Sequence, residues 1–118
     1  MGFFYSVRGW LEGGEEHLLR AKRLIAENVD QNPHVGSWHF PVSGGGFSRF
    51  IFFGHTVRDA SLPEVRAQVA RLAAEVQSPD GDDVDFLTGI FHVTAEDNSK
   101  NLIWRCGDGQ FLESDAHG

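Results

Sequence analysis

Hydrophobic spacing changes from a strand pattern to a helix pattern within the first thirty residues. From residue 3 to residue 11, apolar and polar positions alternate with a period of two, which predicts a β-strand. The pair Gly13-Gly14 ends this pattern, and residues 15–29 place apolar side chains at helical spacing. The pattern therefore predicts a strand followed directly by a helix.

The middle of the chain predicts an antiparallel hairpin. Apolar stretches at residues 37–42 and 48–57 flank the glycine-rich turn at residues 43–46. Residues 50–53 are Phe-Ile-Phe-Phe and show no alternation. We therefore expect the second strand of the hairpin to be buried on both faces and central in the sheet.

A capping box predicts the start of a second helix. Ser61 stands before Leu62-Pro63, and Glu64 follows Ser61 by three residues. In a capping box, two residues at this spacing each accept the backbone N–H of the other with a side-chain oxygen, and this opens many helices. Apolar residues then recur at helical spacing up to Val76. The Ser-Pro-Asp-Gly sequence at residues 78–81 predicts the end of this helix.

The last third of the chain returns to strand patterns. Residues 86–95 and 101–106 predict two strands, and residues 110–112 predict a short further extension. The tail at residues 113–118 is polar, and we expect it to be frayed.

The order of these elements predicts an α+β fold. Residues 1–118 form a single predicted domain of order β-α-β-β-α-β-β, a two-layer sandwich and a variant of the ferredoxin-like arrangement. Both helices would pack on one face of a mainly antiparallel sheet. The phases of the strands predict that six polar or aromatic side chains share the other face: Phe4, Arg8, Trp10, His39, His92 and Arg105.

Charge and cysteine content narrow the classes of partner. Seventeen acidic residues against ten basic ones give a formal net charge of -7, which disfavours nucleic acid and favours a basic protein partner. A single cysteine, Cys106, argues against both a disulfide framework and a cysteine zinc cluster. The apolar runs are too short for a membrane span and the first residues do not resemble a signal peptide, so we expect a cytoplasmic protein.

Residues with catalytic or ligand-binding chemistry form no known motif. The histidines His39, His55 and His92 fall on predicted strands without metal-ligand spacing, and we expect neither a metal nor a cofactor. Cys106 with His92 would make a nucleophile and a base only if the fold brought them together, and a core role for Cys106 is favoured. The glycines at residues 44–46 lead into a strand, so a hairpin turn is favoured over a phosphate loop.

Two acidic groups and one tryptophan are the candidate contacts for a partner. Trp10 would be an aromatic anchor on the uncovered face of the sheet. The acidic candidates lie on a predicted loop and around the start of the first helix, where they would steer a basic partner: Asp80, Asp82, Asp83, Asp85, Glu12, Glu15 and Glu16.

Three segments carry a resemblance to known proteins. The chain resembles, in style, the small immunity proteins of bacterial polymorphic toxin systems. The resemblance is carried by residues 4–10 (FYSVRGW), residues 38–41 (WHFP) with the glycines at 44–46, and residues 52–58 (FFGHTVR). The resemblance implies a cytoplasmic α+β domain that binds and neutralises a cognate toxin and has no enzymatic activity. The small size, the acidic surface and the missing catalytic motif favour an inhibitor independently of it.

A second hypothesis comes from the histidines and aromatic residues of the predicted sheet. They would line a pocket that binds or transforms a small molecule, in a small dimeric α+β domain. A deep pocket that encloses His39, His55 or His92 would favour this hypothesis over the immunity protein, and a homodimer is compatible with both.

Overall fold

The structure is a computed structural model that describes residues 3–27, 37–41, 49–76 and 86–116. Within these residues the chain forms six strands and two α-helices, in the order β1 (Phe4–Gly13), α1 (Glu15–Glu27), β2 (Trp38–His39), β3 (Arg49–Arg58), α2 (Leu62–Glu75), β4 (Thr88–Ala95), β5 (Asn101–Gly107) and β6 (Gln110–Asp115). A short 3-10 helix, Asp59–Ser61, leads into α2.

All six described strands belong to one antiparallel sheet with the order β2-β3-β1-β4-β5-β6. Strand β1 lies between β3 and β4 and is antiparallel to both, so β3 and β4 run parallel with β1 inserted between them. By the same reasoning β1 and β2 run parallel, with β3 inserted between them. In chain order α1 lies between the parallel strands β1 and β2, and α2 lies between the parallel strands β3 and β4. The predicted α+β class is confirmed. The six-stranded order does not confirm the ferredoxin-like assignment, because β5 and β6 extend the sheet beyond β4.

One hydrophobic core lies between the helices and a single face of the sheet. In β1 the buried residues are Tyr5, Val7 and Leu11, so the period of two seen in the sequence is the division between core and surface. Helix-side residues and sheet residues join one cluster, which includes Ala21, Ile25, Val65, Val69, Leu72, Phe91 and Trp104. Burying one large apolar side chain of this kind stabilises a fold by about 1.5–3 kcal/mol.

Helix α2 is fixed to the last two strands by a group of polar and aromatic contacts. The Trp104 indole N–H donates to Glu113 Oε1 at 2.9 Å, and Arg66 Nε donates to the same oxygen at 3.2 Å. The Arg66 guanidinium also lies 4.9 Å from the centre of the Phe111 ring. Residues 113–115 are therefore part of β6, although the sequence predicted a frayed tail from residue 113. Residues 117–118 of that tail lie outside the described residues.

Two expectations about local structure are wrong. Strand β3 is not buried on both faces: Ile51 and Phe53 are buried, while Phe50 and Phe52 are exposed, because the helices cover only one side of the sheet. Ser61 does not cap α2 with its side chain, because the preceding 3-10 helix already gives Ser61 a helical backbone with φ -93° and ψ -13°. Pro63 still stands in the first turn of α2, where it is favoured.

Gly9 is a position at which a side chain would not fit. It lies opposite Phe91 of β4, and the Phe91 ring packs over it on the core side. A Cβ at Gly9 would lie 2.6 Å from both Cα and Cδ1 of Phe91, and it would also meet the Ile90 carbonyl oxygen. At Gly54, in contrast, nothing lies within 4 Å of an added Cβ. Both glycines lie on inner strands, so they make a matched pair.

We expect Gly9→Ala to lower the free energy of unfolding by about 1–3 kcal/mol, because β1 and β4 must separate locally to accept the methyl group. Gly54→Ala should change it by no more than about 0.5 kcal/mol. Urea denaturation followed by circular dichroism measures both variants. Equal stability of the two alanine variants would contradict the tight packing at Gly9.

Candidate interaction surface

The face of the sheet opposite the helices is the candidate functional surface, and we call it the open face. In an antiparallel ladder, directly paired residues point to the same side. Trp10 pairs with both Phe52 and Ile90, and Arg8 pairs with His92. The register therefore confirms that the six residues predicted for this side share it: Phe4, Arg8, Trp10, His39, His92 and Arg105.

One line of paired residues crosses all six strands on the open face, and we call it the apolar row. Four of its six residues are apolar, and the other two are His39 at the β2 end and Arg105 on β5; in order across the sheet the row is His39, Phe52, Trp10, Ile90, Arg105 and Leu112. With neighbouring strands about 4.8 Å apart, the row is about 24 Å long. Its large side chains reach solvent: Trp10 is 38% exposed, Phe52 42% and Leu112 59%. Phe50 extends this surface by stacking on Phe52, with ring centres 6.1 Å apart.

A polar network lies beside the apolar row, centred on Arg8. Arg8 Nη1 donates to Ser6 Oγ at 3.3 Å, and both Nη1 and Nη2 donate to Thr94 Oγ1 at 3.3 Å. The Thr94 hydroxyl in turn donates to Asn101 Oδ1 at 3.0 Å. These bonds hold the guanidinium over the neighbouring pair of residues, Ser6 on β1 and Thr94 on β4, while the Arg8 backbone lies between Gly54 on β3 and His92 on β4.

The acidic candidates do not gather around Trp10. Glu12 shares the open face with Trp10, at the end of β1 where it pairs with Phe50 and Thr88. Glu15 and Glu16 are exposed in the first turn of α1, in the helical layer. The remaining candidates, Asp80, Asp82, Asp83 and Asp85, lie outside the described residues. Among the described residues, the apolar row and the neighbouring row through Arg8 contain two charged side chains. Both are basic, namely Arg8 and Arg105.

The three strand histidines do not converge. His39 and His92 lie on the open face, but three strand spacings, roughly 14 Å, separate β2 from β4. His55 pairs with Val7 and therefore points to the other side of the sheet. Among the described residues, no group of three or more histidine, cysteine, aspartate or glutamate side chains is placed to hold a metal ion.

Cys106 and His92 lie on opposite faces of the sheet. Cys106 is buried and faces the helices, whereas His92 is exposed on the open face. Burial raises the pKa of the Cys106 thiol to about 12. The expected core role of Cys106 is confirmed, and the geometry of a nucleophile with a neighbouring base is absent at this pair.

A groove of about 250 Å³ lies between the two helices, away from the open face. It is lined by Leu24 and by charged side chains of both helices, namely Arg20, Arg23, Glu27 and Glu75. Arg71 spans the same region, with ion pairs to Glu27 and Glu75. The groove therefore does not enclose His39, His55 or His92, as the small-molecule hypothesis would require.

Sequence reasoning missed several residues of this surface. Phe50 and Phe52 were assigned to a doubly buried strand, and Ile90 and Leu112 were not singled out. For Phe52 no local signal existed, because residues 50–53 are all apolar. His17 was missed as well: it is buried at the start of α1, and its Nδ1 accepts the backbone N–H of Gly14 at 3.0 Å. Leu112 carried no signal, because its placement follows from the pairing of β6 with β5.

Comparisons of the chain with protein-family models, with curated proteins and with solved structures gave no match. Neither of the helices in the described part of the chain has the length and apolar character needed to cross a membrane.

We expect Cys106 to resist alkylation in the folded protein. With a pKa of about 12, the thiol stays protonated through the range in which an ordinary cysteine with a pKa of about 8.5 ionises. At a pH below about 8.5, iodoacetamide should therefore react roughly a thousandfold more slowly with the native protein than with the protein in urea. Because the unfolded thiol ionises first, this group should also lower the free energy of unfolding as the pH rises from about 8.5 towards 12. Mass spectrometry measures the extent of alkylation. Rapid alkylation of the native protein would contradict the burial of Cys106.

Proposed function

We propose that the chain is a non-enzymatic binding protein whose open face docks on a protein partner, and that it acts as an immunity protein that neutralises a toxin. The observation that carries the docking is the apolar row, in which Trp10, Phe52 and Leu112 are exposed and Arg105 lies between Ile90 and Leu112. A group of large exposed apolar side chains on one face of a protein often marks an interaction site. Tryptophan and arginine are also the residues most often found as anchors in protein interfaces.

A protein suits this surface better than a nucleic acid. Aliphatic side chains, Ile90 and Leu112, follow the aromatic ones along the apolar row, where an RNA-binding sheet would need rings that stack on bases. The net charge of -7 opposes contact with a phosphate backbone. A flat row about 24 Å long also matches a protein surface better than a small ligand, which binds in a concave pocket.

The immunity role is supported by the size and charge of the chain. A toxin is blocked by covering its active site, and a single domain with one large docking face is sufficient for that. Acidic residues around this face would steer a basic toxin and speed its association. Glu12 lies at the end of the open face, and Glu15 and Glu16 are exposed in the first turn of α1, in the helical layer, from which they would act only through the longer-range field. We assign the acidic segment at residues 80–85 the same steering role, and the protein a cytoplasmic location.

We also propose that the fold is an extended ferredoxin-like variant. The two interleaved β-α-β trios, β1-α1-β2 around β3 and β3-α2-β4 around β1, support this assignment. In this proposal β5 and β6 are additions that widen the open face by Arg105 and Leu112.

The direct test is co-expression with the product of a neighbouring toxin-like gene. We expect the two proteins to purify together and the toxin's activity to be inhibited at an equimolar ratio. A neighbouring toxin that neither binds nor is inhibited would remove the immunity role.

We expect Phe52→Ala to weaken binding to such a toxin by about 2 kcal/mol, as for an anchor residue in an interface. Leu19→Ala is the matched control, because Leu19 is 47% exposed, close to the 42% of Phe52, but lies on α1. Both substitutions should leave thermal stability nearly unchanged, and titration calorimetry with each variant gives the affinity.

The comparison of the two variants locates the interface. A loss of affinity in Leu19→Ala with none in Phe52→Ala would place the toxin on the helical layer. Equal losses in both would show that neither side chain reports a specific contact. Either result would contradict docking on the open face.

A further inference from the structure

Arg8 is exposed near the middle of the open face, directly beside the apolar row. We infer that Arg8 is a preformed receptor for a carboxylate that the protein partner presents between apolar side chains. This inference rests on the docking of a protein on the open face, proposed above, and it specifies the chemistry of the partner's surface.

The hydrogen bonds of Arg8 leave one particular edge of the guanidinium available. Nη1 donates to Ser6 Oγ and to Thr94 Oγ1, and Nη2 donates one hydrogen to Thr94 Oγ1. Neither Nε–H nor the second hydrogen of Nη2 has a partner among the described residues. These two N–H groups lie side by side and point the same way, which is the geometry that binds both oxygens of a carboxylate.

The surroundings of Arg8 fit the same ligand. Its partner on β3 is Gly54, and a Cβ added there would meet nothing within 4 Å, so there is room on that side for an incoming group. Its partner on β4 is His92, which adds a further hydrogen-bonding side chain. Trp10 is exposed two residues along β1 on the same face, on the other side of Arg8 from Ser6, where it can contact apolar neighbours of the incoming carboxylate.

The three bonds to Ser6 and Thr94 lower the entropic cost of binding. A free arginine side chain loses rotamer entropy when it is fixed. Here part of that loss has already occurred in the folded protein, because the guanidinium is held by two hydroxyl groups, one of which is bonded further to Asn101. Lysine at this position would keep the charge but would lack the paired donors.

Charge complementarity distinguishes the occupants. A second copy of the chain offers one described carboxylate on its own open face, that of Glu12 at the end of β1, and two copies of net charge -7 repel each other. A protein with a glutamate or aspartate among apolar residues offers the opposite charge at Arg8 and apolar groups at Trp10 and Phe52. This local match applies whatever the net charge of the partner.

The test uses two short peptides, acetyl-Leu-Glu-Phe-amide and acetyl-Leu-Gln-Phe-amide, which differ only in the carboxylate. Titration of the full chain is followed by the fluorescence of its tryptophans, of which Trp10 is exposed while Trp38 and Trp104 are buried. Proton–nitrogen correlation spectra monitor the Arg8 Nε–H signal directly. We expect the glutamate peptide to shift that signal and to bind about tenfold more tightly than the glutamine peptide, as for charge-assisted hydrogen bonds.

Two conservative variants serve as test and control. Arg8→Lys should abolish the preference for the glutamate peptide, because the paired donors are lost. Arg58→Lys should retain it, since Arg58 lies at the far end of the open face, where its guanidinium is 5.8 Å from the centre of the Phe4 ring. Thermal melting shows whether each variant is folded.

Four results would overturn the inference: no binding of either peptide, equal binding of both, a preference that survives Arg8→Lys in a folded protein, or tighter binding of oligouridylate than of the glutamate peptide. The last result would mark the face as a nucleic-acid surface. Since the peptides require no toxin, a preference carried by Arg8 together with failure to bind a neighbouring toxin would reject the immunity role and keep the carboxylate receptor. Binding of the toxin without a preference for the glutamate peptide would keep the immunity role and reject the carboxylate receptor.

Discussion

Strand β1 determines the arrangement of the rest of the molecule, because it pairs with β3 on one side and β4 on the other along nearly its whole length. Each helix must then cross over a strand that is already paired, and both helices pack on the same face. The period-two pattern of β1 follows from this placement: Val7 and Leu11 enter the core, while Arg8 and Trp10 point away from it. The contact between Gly9 and the Phe91 ring allows β1 and β4 to approach within this core.

Within the described residues the two helices cover one face of the sheet, and no described helix or strand covers the other. The stabilisation of the fold comes from the helix side, where Trp104, Phe91 and Leu72 are fully buried. The open face contributes less to that core, so its side chains are freer to be selected for contact with another molecule. Aromatic, aliphatic and arginine side chains occur there together, and this composition supports the docking that we propose.

The sequence predicted the long elements well, because each carried a clear period. Strand β1, both helices and the strands β4 and β5 lie where alternation or helical spacing indicated them. The predicted orientation of Arg8, Trp10 and His92 also follows from a period, since a strand has only two faces. The role of these residues in binding stays a prediction.

What the sequence could not reveal depends on contacts between distant residues. The run at residues 50–53 was assigned to a doubly covered strand because its residues are all apolar, and only the position of the helices shows that Phe52 is exposed. Strand β6 continues to Asp115 because Glu113 joins Trp104 and Arg66, a contact that no local pattern records. The separation of Cys106 from His92 likewise required the pairing of β4 with β5.

The two edge strands of the described sheet, β2 and β6, also affect how this protein behaves at high concentration. Outer strands present backbone groups to which strands of other molecules can add, and this is a common origin of aggregation. In the described residues one edge strand, β2, is only two residues long. The other, β6, ends in Glu113, Ser114 and Asp115. Copies that meet along β6 bring like charges together, so the residues that attach the last strand also help to keep the protein dispersed in a crowded solution.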